Sequence, residues 1–383
     1  MANRTADAGA RLTIALDGRA FGSPAGGVRR YTYELCQALL AHGSGVDLVA
    51  VGVEPGHAIP PGVRTAPPRM TLPTNLGWSL AGLPASARGV PFDVFHAPAY
   101  TAPLLGLRPR VVTVHDVSYA RQPGDYPYRR DPLRRWFYRT SATTADAVLT
   151  DSEFSRAEIT AAYGIDPSRV TVVPLGVGEP FHPRRTPRPI PLDGRDPVVV
   201  HVGDLHPRRR VDLLLDAVLR LRQAEPSLAA LRLVALGRDH DVVSGLVERA
   251  AAAGAPDAIV APGVVGEPEL VALLQDADVF AYASRYEGFG LPLLEAMACG
   301  CPVVALRVAS VEEVVGDAGL LLAPSATAAA VADALGRVLT DEGTARALRE
   351  RGLARAARFS WARTAEATLA VYERVAAAHG RRR

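Results

Sequence analysis

The chain has 383 residues with 48% hydrophobic content, enough for a large core and too many for one small domain, so two domains of roughly 150–200 residues are expected. All 43 basic residues are Arg and none is Lys, an actinobacterial-like, GC-rich composition; 20 Arg face 15 acids in residues 1–185 and 23 face 25 thereafter, too mild an asymmetry for a nucleic-acid footprint. Three cysteines, Cys36, Cys299 and Cys301, are too few for a disulfide framework or zinc site and fit a reducing cytosol, while no apolar run nears the ~20 residues of a membrane span and no signal pattern opens the chain.

RLTIALDGRAF reads as a buried strand, Leu12 to Leu16, followed by a loop with glycines at 22, 26 and 27, and VRRYTYELCQALLAHG has helical spacing to about Gly43. Gly26 and Gly27, at the mouth of that helix, let the backbone approach an anion closely. Apolar runs at 46–53, 92–95 and 111–114 read as further parallel strands. The last leads into His115, and a histidine at the carboxyl end of a strand in an open α/β sheet sits where ligands bind. His96 has the same placement after the preceding strand. YPYRRDPLRRWFYRTSATTADAV mixes aromatics with Arg129, Arg130, Arg134, Arg135 and Arg139. That segment admits a peripheral membrane-surface helix, but the preferred reading packs Trp136 and Phe137 inward beneath the Arg stems. Asp151 or Ser152 is placed to cap the helix that follows.

Five prolines in residues 183–197 mark a domain boundary, after which VVVHVGDLHPRRRVDLLLDAVLRL restarts a strand, turn and helix. LRLVALG, IVAPGVV and ADVFAYAS supply further strands. The Asp-x-Asp pairs at 239–241 and 276–278 have the look of a metal site, but Asp276 and Asp278 fit a helix end leading into a strand, and no metal is expected. The densest chemistry is in SRYEGFGLPLLEAMACGCPVV, residues 284–304. Gly288 and Gly290 permit a tight turn, Pro292 suits a first helical position, and Gly300 suits a stop. A helix is therefore expected from about Leu291, its free N–H groups at Phe289, Gly290 and Leu291 forming a site for a phosphate or diphosphate. Glu295 lies one turn further in, roughly 6 Å at ~1.5 Å per residue, the distance from a diphosphate to its ribose hydroxyls. Glu287 lies across the turn, so the two acids bracket a diphosphate.

Two Glu separated by seven residues around Gly-Phe-Gly-Leu-Pro resemble the signature of the retaining GT-B glycosyltransferases of family four, and GGVRRYTYEL and VVTVHDVSY resemble its glycine loop and histidine segment. The resemblance covers nearly the whole chain. It implies an α/β fold of two Rossmann-like domains facing a central cleft: an acceptor-side domain over 1–185, a nucleotide-sugar domain over 186–360, and a crossover helix and tail over 361–383 packing on the first. It implies that Glu287 and His115 act on the transferred sugar and that Glu295 holds the ribose. Gly26, Gly27, Arg209, Phe289, Gly290 and Leu291 then surround the diphosphate, the backbone near Val265 reads the base, and His96 lines the acceptor side. Arg209 stands where the family has Lys, and Asp204 where many relatives have Arg. The implied activity is metal-independent, cofactor-free hexosyl transfer with retention. Its donor is a UDP- or GDP-linked sugar and its acceptor the hydroxyl of a growing glycan, lipid-linked sugar or natural product, in the cytoplasm or at the inner face of the membrane. A sugar-nucleotide epimerase of the same architecture and a non-catalytic sugar-nucleotide-binding protein are the alternatives. A dinucleotide oxidoreductase requires a G-x-G-x-x-G that neither glycine loop provides.

Overall fold

The computed structural model describes residues 11–43, 45–121, 131–184 and 196–380. Arg129 and Arg130, most of the proline-rich boundary and the Arg381–Arg383 tail lie outside them. The chain divides into two compact units, Met1–Gly176 with Ser360–Arg383, and Val177–Phe359.

In the first unit the strands are β1 (Leu12–Asp17), β2 (Val46–Val51), β3 (Arg64–Ala66), β4 (Val94–Ala97), β5 (Arg110–Thr113), β6 (Ala147–Thr150) and β7 (Val170–Val172), in the spatial order 3-2-1-4-5-6-7. In the second they are β8 (Val198–Val202), β9 (Arg232–Leu236), β10 (Ile259–Gly263), β11 (Val279–Tyr282), β12 (Val303–Leu306) and β13 (Gly319–Leu322), in the order 10-9-8-11-12-13. Every pairing is parallel. Helices cover both faces, which is why the central strands are continuous Val, Leu, Ile and Ala runs with no polar alternation. Each sheet repeats the doubly wound dinucleotide-fold order, with a reversal between its first and fourth strands where crossovers leave in opposite directions.

The C-terminal helix Trp361–Gly380 belongs to the first unit. Thr364 Oγ1 donates to the Pro174 carbonyl at 2.8 Å, and Tyr372 reaches the sheet beside the helix Gly26–Ala41. There a buried polar chain runs from Tyr372 Oη to His96 Nδ1 (2.7 Å), His96 Nε2 to Thr113 Oγ1 (2.8 Å) and Thr113 Oγ1 to Tyr31 Oη (2.9 Å). His96 is fully buried inside β4, and burial pushes its pKa down to about 3, so the ring is neutral. The acceptor-side placement of His96 is therefore corrected: it is a core residue with both ring nitrogens occupied. A second correction concerns the helix Pro132–Thr143, where Phe137 packs inward with Ser141 and Ala142 but Trp136 does not: Leu133 and Trp136 are half exposed beside exposed Arg134 and Arg135.

The carboxyl ends of β8 and β9 meet at two glycines. A Cβ on Gly237 would lie 2.1 Å from the Gly203 carbonyl oxygen, and Gly237 has φ +142°, a conformation that L side chains rarely adopt. Gly237→Ala therefore combines backbone strain with a backbone collision and should destabilise the second unit by about 3 kcal/mol or more. Calorimetric melting checks this; a transition within a degree of wild type would show that the strand ends can separate freely.

Candidate active site

In the second unit the reversal lies between β8 and β11. The chain leaving β8 passes Gly203 and makes a short 3-10 turn, Pro207–Arg209; the chain leaving β11 runs through Ser284 to Glu287. Arg285 N–H donates to the Arg208 carbonyl at 2.9 Å and stitches the two loops together. Arg209 lies against Gly203, where a Cβ would meet its Cζ at 3.4 Å, and over the Tyr282 ring at 5.3 Å. Its Nη1 donates to Tyr282 Oη and to Glu287 Oε1. The same Glu287 oxygen accepts from Ser284 Oγ at 2.6 Å and has Arg208 Nη1 at 3.5 Å. Arg208 Nη1 also donates to the Tyr286 carbonyl at 2.9 Å. Glu287 is only 7% exposed, so two guanidiniums and one carboxylate form a half-buried cluster with one positive charge in excess. Such a cluster at a switch point attracts an anion.

The glycine turn follows at once. Gly290, at φ +102°, leads into the helix Leu291–Ala298, which has Pro292 in its first turn and no side-chain cap. Ser310 Oγ lies 3.0 Å from both the Glu287 and the Phe289 carbonyl oxygens, tying the turn's acceptors inward. The Phe289 ring packs on Phe359, with ring centroids 5.9 Å apart. Glu295 is buried within the helix, at 5% exposure. Val265, half-buried, follows β10 on the outer side of the sheet. Three of the four acids in the two Asp-x-Asp pairs are in structural use. Asp239 caps a helix through Val242 N–H (2.9 Å), Asp276 pairs with Arg184 (3.0 Å), and Asp278 accepts from Val198 N–H (2.8 Å). Asp204 turns to His240 at 3.6 Å.

In the first unit Gly26 and Gly27 open the helix Gly26–Ala41, whose N-terminus has no side-chain cap. A Cβ at Gly27 would have nothing within 4 Å, and one at Gly26 only the tip of Arg29 at 4.0 Å. Neither has positive φ, so nothing in the local fold demands glycine there. His115 lies two residues beyond β5. Its Nδ1 meets Asp151 Oδ2 at 2.8 Å, its Nε2 meets the Pro98 carbonyl at 3.1 Å, and its ring is flanked edgewise by Tyr31 and Tyr100. Two acceptors on two nitrogens suit the doubly protonated imidazolium. Burial pulls the His115 pKa down, but the charge and hydrogen bond of Asp151 outweigh it, and the net shift is upward. Ser152, by contrast, caps the next helix through Ser155 N–H at 3.0 Å.

Residue-by-residue reading passed over Arg208, Ser284 and Ser310, and took Asp151, an acid directly after a strand, only as a candidate helix cap.

The comparisons with known proteins agree with this geometry. Residues 25–178 match the family model described as Glycosyltransferase Family 4, and residues 184–355 match the one described as Glycosyl transferases group 1. O-antigen chain mannosyltransferase B of Escherichia coli is 32% identical over 311 residues, covering 80% of this chain and 78% of that protein. Sucrose-phosphate synthase of Thermosynechococcus elongatus superposes with a TM-score of 0.78 at 23% identity, covering 96% of this chain and 100% of the other. HepE of Anabaena, solved in complex with UDP-glucose, gives 0.68 at 21% identity, covering 94% and 99%.

With its folded pKa raised, His115 contributes stability that is complete below its ordinary value of 6.5 and is lost as pH rises through the raised value. In wild type the His115 midpoint should lie above its ordinary value of 6.5. Asp151→Asn removes the charge, leaves burial in command and should bring the midpoint below 6.5. Nitrogen-15 titration of the histidines reads both; identical midpoints in the two proteins would detach Asp151 from His115.

Proposed function

Because this chain belongs to glycosyltransferase family four, we propose that it transfers a hexosyl group, with retention, from a nucleoside-diphosphate sugar to a hydroxyl acceptor, and that the second unit holds the donor. The observation that carries the reading is the convergence of Arg208 and Arg209 on Glu287 beside the uncapped helix Leu291–Ala298. The diphosphate rests on that helix mouth and on the two guanidiniums. Glu295 takes the ribose hydroxyls, the backbone near Val265 takes the base, and Glu287 faces the sugar. Arg208 supplies a second cation in a loop where Asp204 stands at the position many relatives give to Arg. In the first unit His115 contacts the sugar, and the glycine pair Gly26–Gly27 lets the backbone come close to the donor. The bound UDP-glucose of HepE and the transferase names of the relatives support this donor class and favour transfer over epimerisation.

In the reaction the bond from the anomeric carbon to the phosphate oxygen breaks and a bond to the acceptor oxygen forms. The acceptor's proton leaves with the departing diphosphate on the same face. Negative charge grows on that phosphate oxygen, where two guanidiniums and the positive end of a helix are already in place; stabilisation of this preorganised kind is often the largest catalytic contribution. The charge is met by arginine and backbone amides, so the route requires no divalent ion. An α-linked donor should yield an α-glycoside, read from the anomeric proton coupling of the product; a β-linked product would sink the family mechanism.

Two substitutions separate binding from folding. Glu295→Ala removes charged hydrogen bonds worth roughly 1.5–3 kcal/mol and should weaken UDP or GDP binding by about 10- to 100-fold in calorimetry. Unchanged affinity for both would remove Glu295 from the site. Gly27→Ala adds a methyl group in open space on a helix, which by propensity alone gains up to about 1 kcal/mol. Its melting temperature should hold or rise while kcat/KM for the donor falls about tenfold or more; full activity would mean that no ligand approaches that backbone.

A further inference from the structure

Ser310 stands where a serine would ordinarily cap a helix. It precedes the short helix Val311–Val315, and the usual side-chain bond from that place accepts an N–H of the helix's own first turn. Ser310 makes no such bond. Its fully buried Oγ donates instead to the Glu287 and Phe289 carbonyl oxygens, each at 3.0 Å, 23 and 21 positions back along the chain. The residue before it, Ala309, has φ +52°, a conformation uncommon outside glycine and kept where the surrounding structure demands it. A serine has thus been turned away from its local task and aimed at the glycine turn of the candidate site.

The other end of the same helix is fastened as well. Arg355 Nε donates to the Val314 carbonyl at 2.9 Å, and Arg355 Nη2 donates to the Glu313 carbonyl. The Arg355 guanidinium lies over the Phe359 ring at 5.3 Å, and Phe359 packs on Phe289 with centroids 5.9 Å apart. Val311, Val314 and Val315 are fully buried and fix the helix in the core. The glycine turn is therefore gripped twice, at its backbone by Ser310 and at its one aromatic ring by residues bound to the helix's far end.

What this hold does follows from peptide planarity. In a trans peptide the C=O and the next residue's N–H point in opposite directions. Drawing the Glu287 and Phe289 carbonyls toward Ser310 therefore turns the Gly288 and Gly290 N–H groups to the side away from it. N–H groups presented together in a turn make a concavity for an anion. Glycine on the far side of each peptide offers little resistance to rotation, and a rotated peptide would present a carbonyl oxygen to the same anion. We propose that Ser310 is a positioning residue for donor binding: its one hydroxyl locks the Glu287–Gly288 and Phe289–Gly290 peptides with their N–H groups toward the phosphate that carries the sugar. The proposal rests on the transferase reading and adds what keeps the anion site formed.

The test compares diphosphates with monophosphates on the full chain by calorimetry, UDP against UMP and GDP against GMP. Wild type should prefer at least one diphosphate. Ser310→Ala should cut that preference about tenfold while affinity for the monophosphate stays within about twofold, a split that general loosening of the site does not produce. Thr327→Ala controls for plain loss of stability: Thr327 caps the helix Ala328–Thr340 of the same unit through Ala330 N–H at 3.4 Å, so its removal should lower the melting temperature and leave the preference intact. Hydrogen exchange on wild type keeps the question open to refutation if Ser310→Ala does not fold. There the preferred diphosphate should slow exchange in residues 286–291 and the monophosphate should not. Absence of the preference in wild type, its persistence in Ser310→Ala, equal weakening of both nucleotides, a matching loss in Thr327→Ala, or a diphosphate that protects no better than a monophosphate overturns the positioning role. If wild type binds neither UDP nor GDP, the donor reading itself fails and this inference falls with it.

Discussion

Glu287 is a carboxyl group held more than nine-tenths out of water, and the carboxyl edge of the second sheet is arranged around supplying its partners there. A buried carboxylate without partners costs several kcal/mol, so the loops from β8 and β11 have to deliver hydrogen bonds to it together. Arg209 and Ser284 donate to a single oxygen, which also has the Arg208 guanidinium at 3.5 Å. That demand fixes the short turn Pro207–Arg209 and the glycine at 203 beneath Arg209. The close approach of Gly237 to Gly203 joins the same structure to β9. A guanidinium has five N–H donors, so arginines already paired with one carboxylate still have donors for a phosphate. One interaction therefore orders the loops before a ligand arrives and supplies positive charge when it does.

The sequence made the fold legible wherever information was local. Unbroken apolar runs marked β1, β2, β4, β5 and the four strands β8 to β11 to within a residue or two, though not the short edge strand β3 nor β7, β12 and β13, and the Gly-Phe-Gly-Leu-Pro turn marked the helix that begins at Leu291. What escaped depends on which strand ends become neighbours. Arg208 meets the Glu287 carboxylate 79 positions further along, and Asp151 meets His115 across 36 positions; no local spacing encodes either pair. His96 and His115 carried the same signal, a histidine ending an apolar run. They differ by register: β4 extends through His96 to Ala97 and buries it, whereas β5 ends at Thr113 and leaves His115 on the loop.

The two sheets use one topology for different chemistry. At the reversal of the second, charged side chains crowd a glycine turn; at that of the first, glycines admit indole and imidazole rings and leave a small polar cavity. The difference begins where each first strand ends, at Gly203-Asp204 just beyond β8 in one unit and at Asp17-Gly18 across the end of β1 in the other. A doubly wound sheet provides the location, and the first few residues beyond its strands determine what is held there.

The helix Trp361–Gly380 has a consequence for how the protein comes into being. Its Tyr372 satisfies the buried ring of His96 across 276 positions of chain, and all of the second unit is translated between them. At ~5–20 residues per second, a ribosome needs roughly 14–55 s to go from one to the other. For that interval the nascent first sheet has a hydrogen-bonding histidine without its partner and an open face where the helix belongs. The second unit, continuous in sequence, can close as soon as it emerges. The half made first is thus the half completed last.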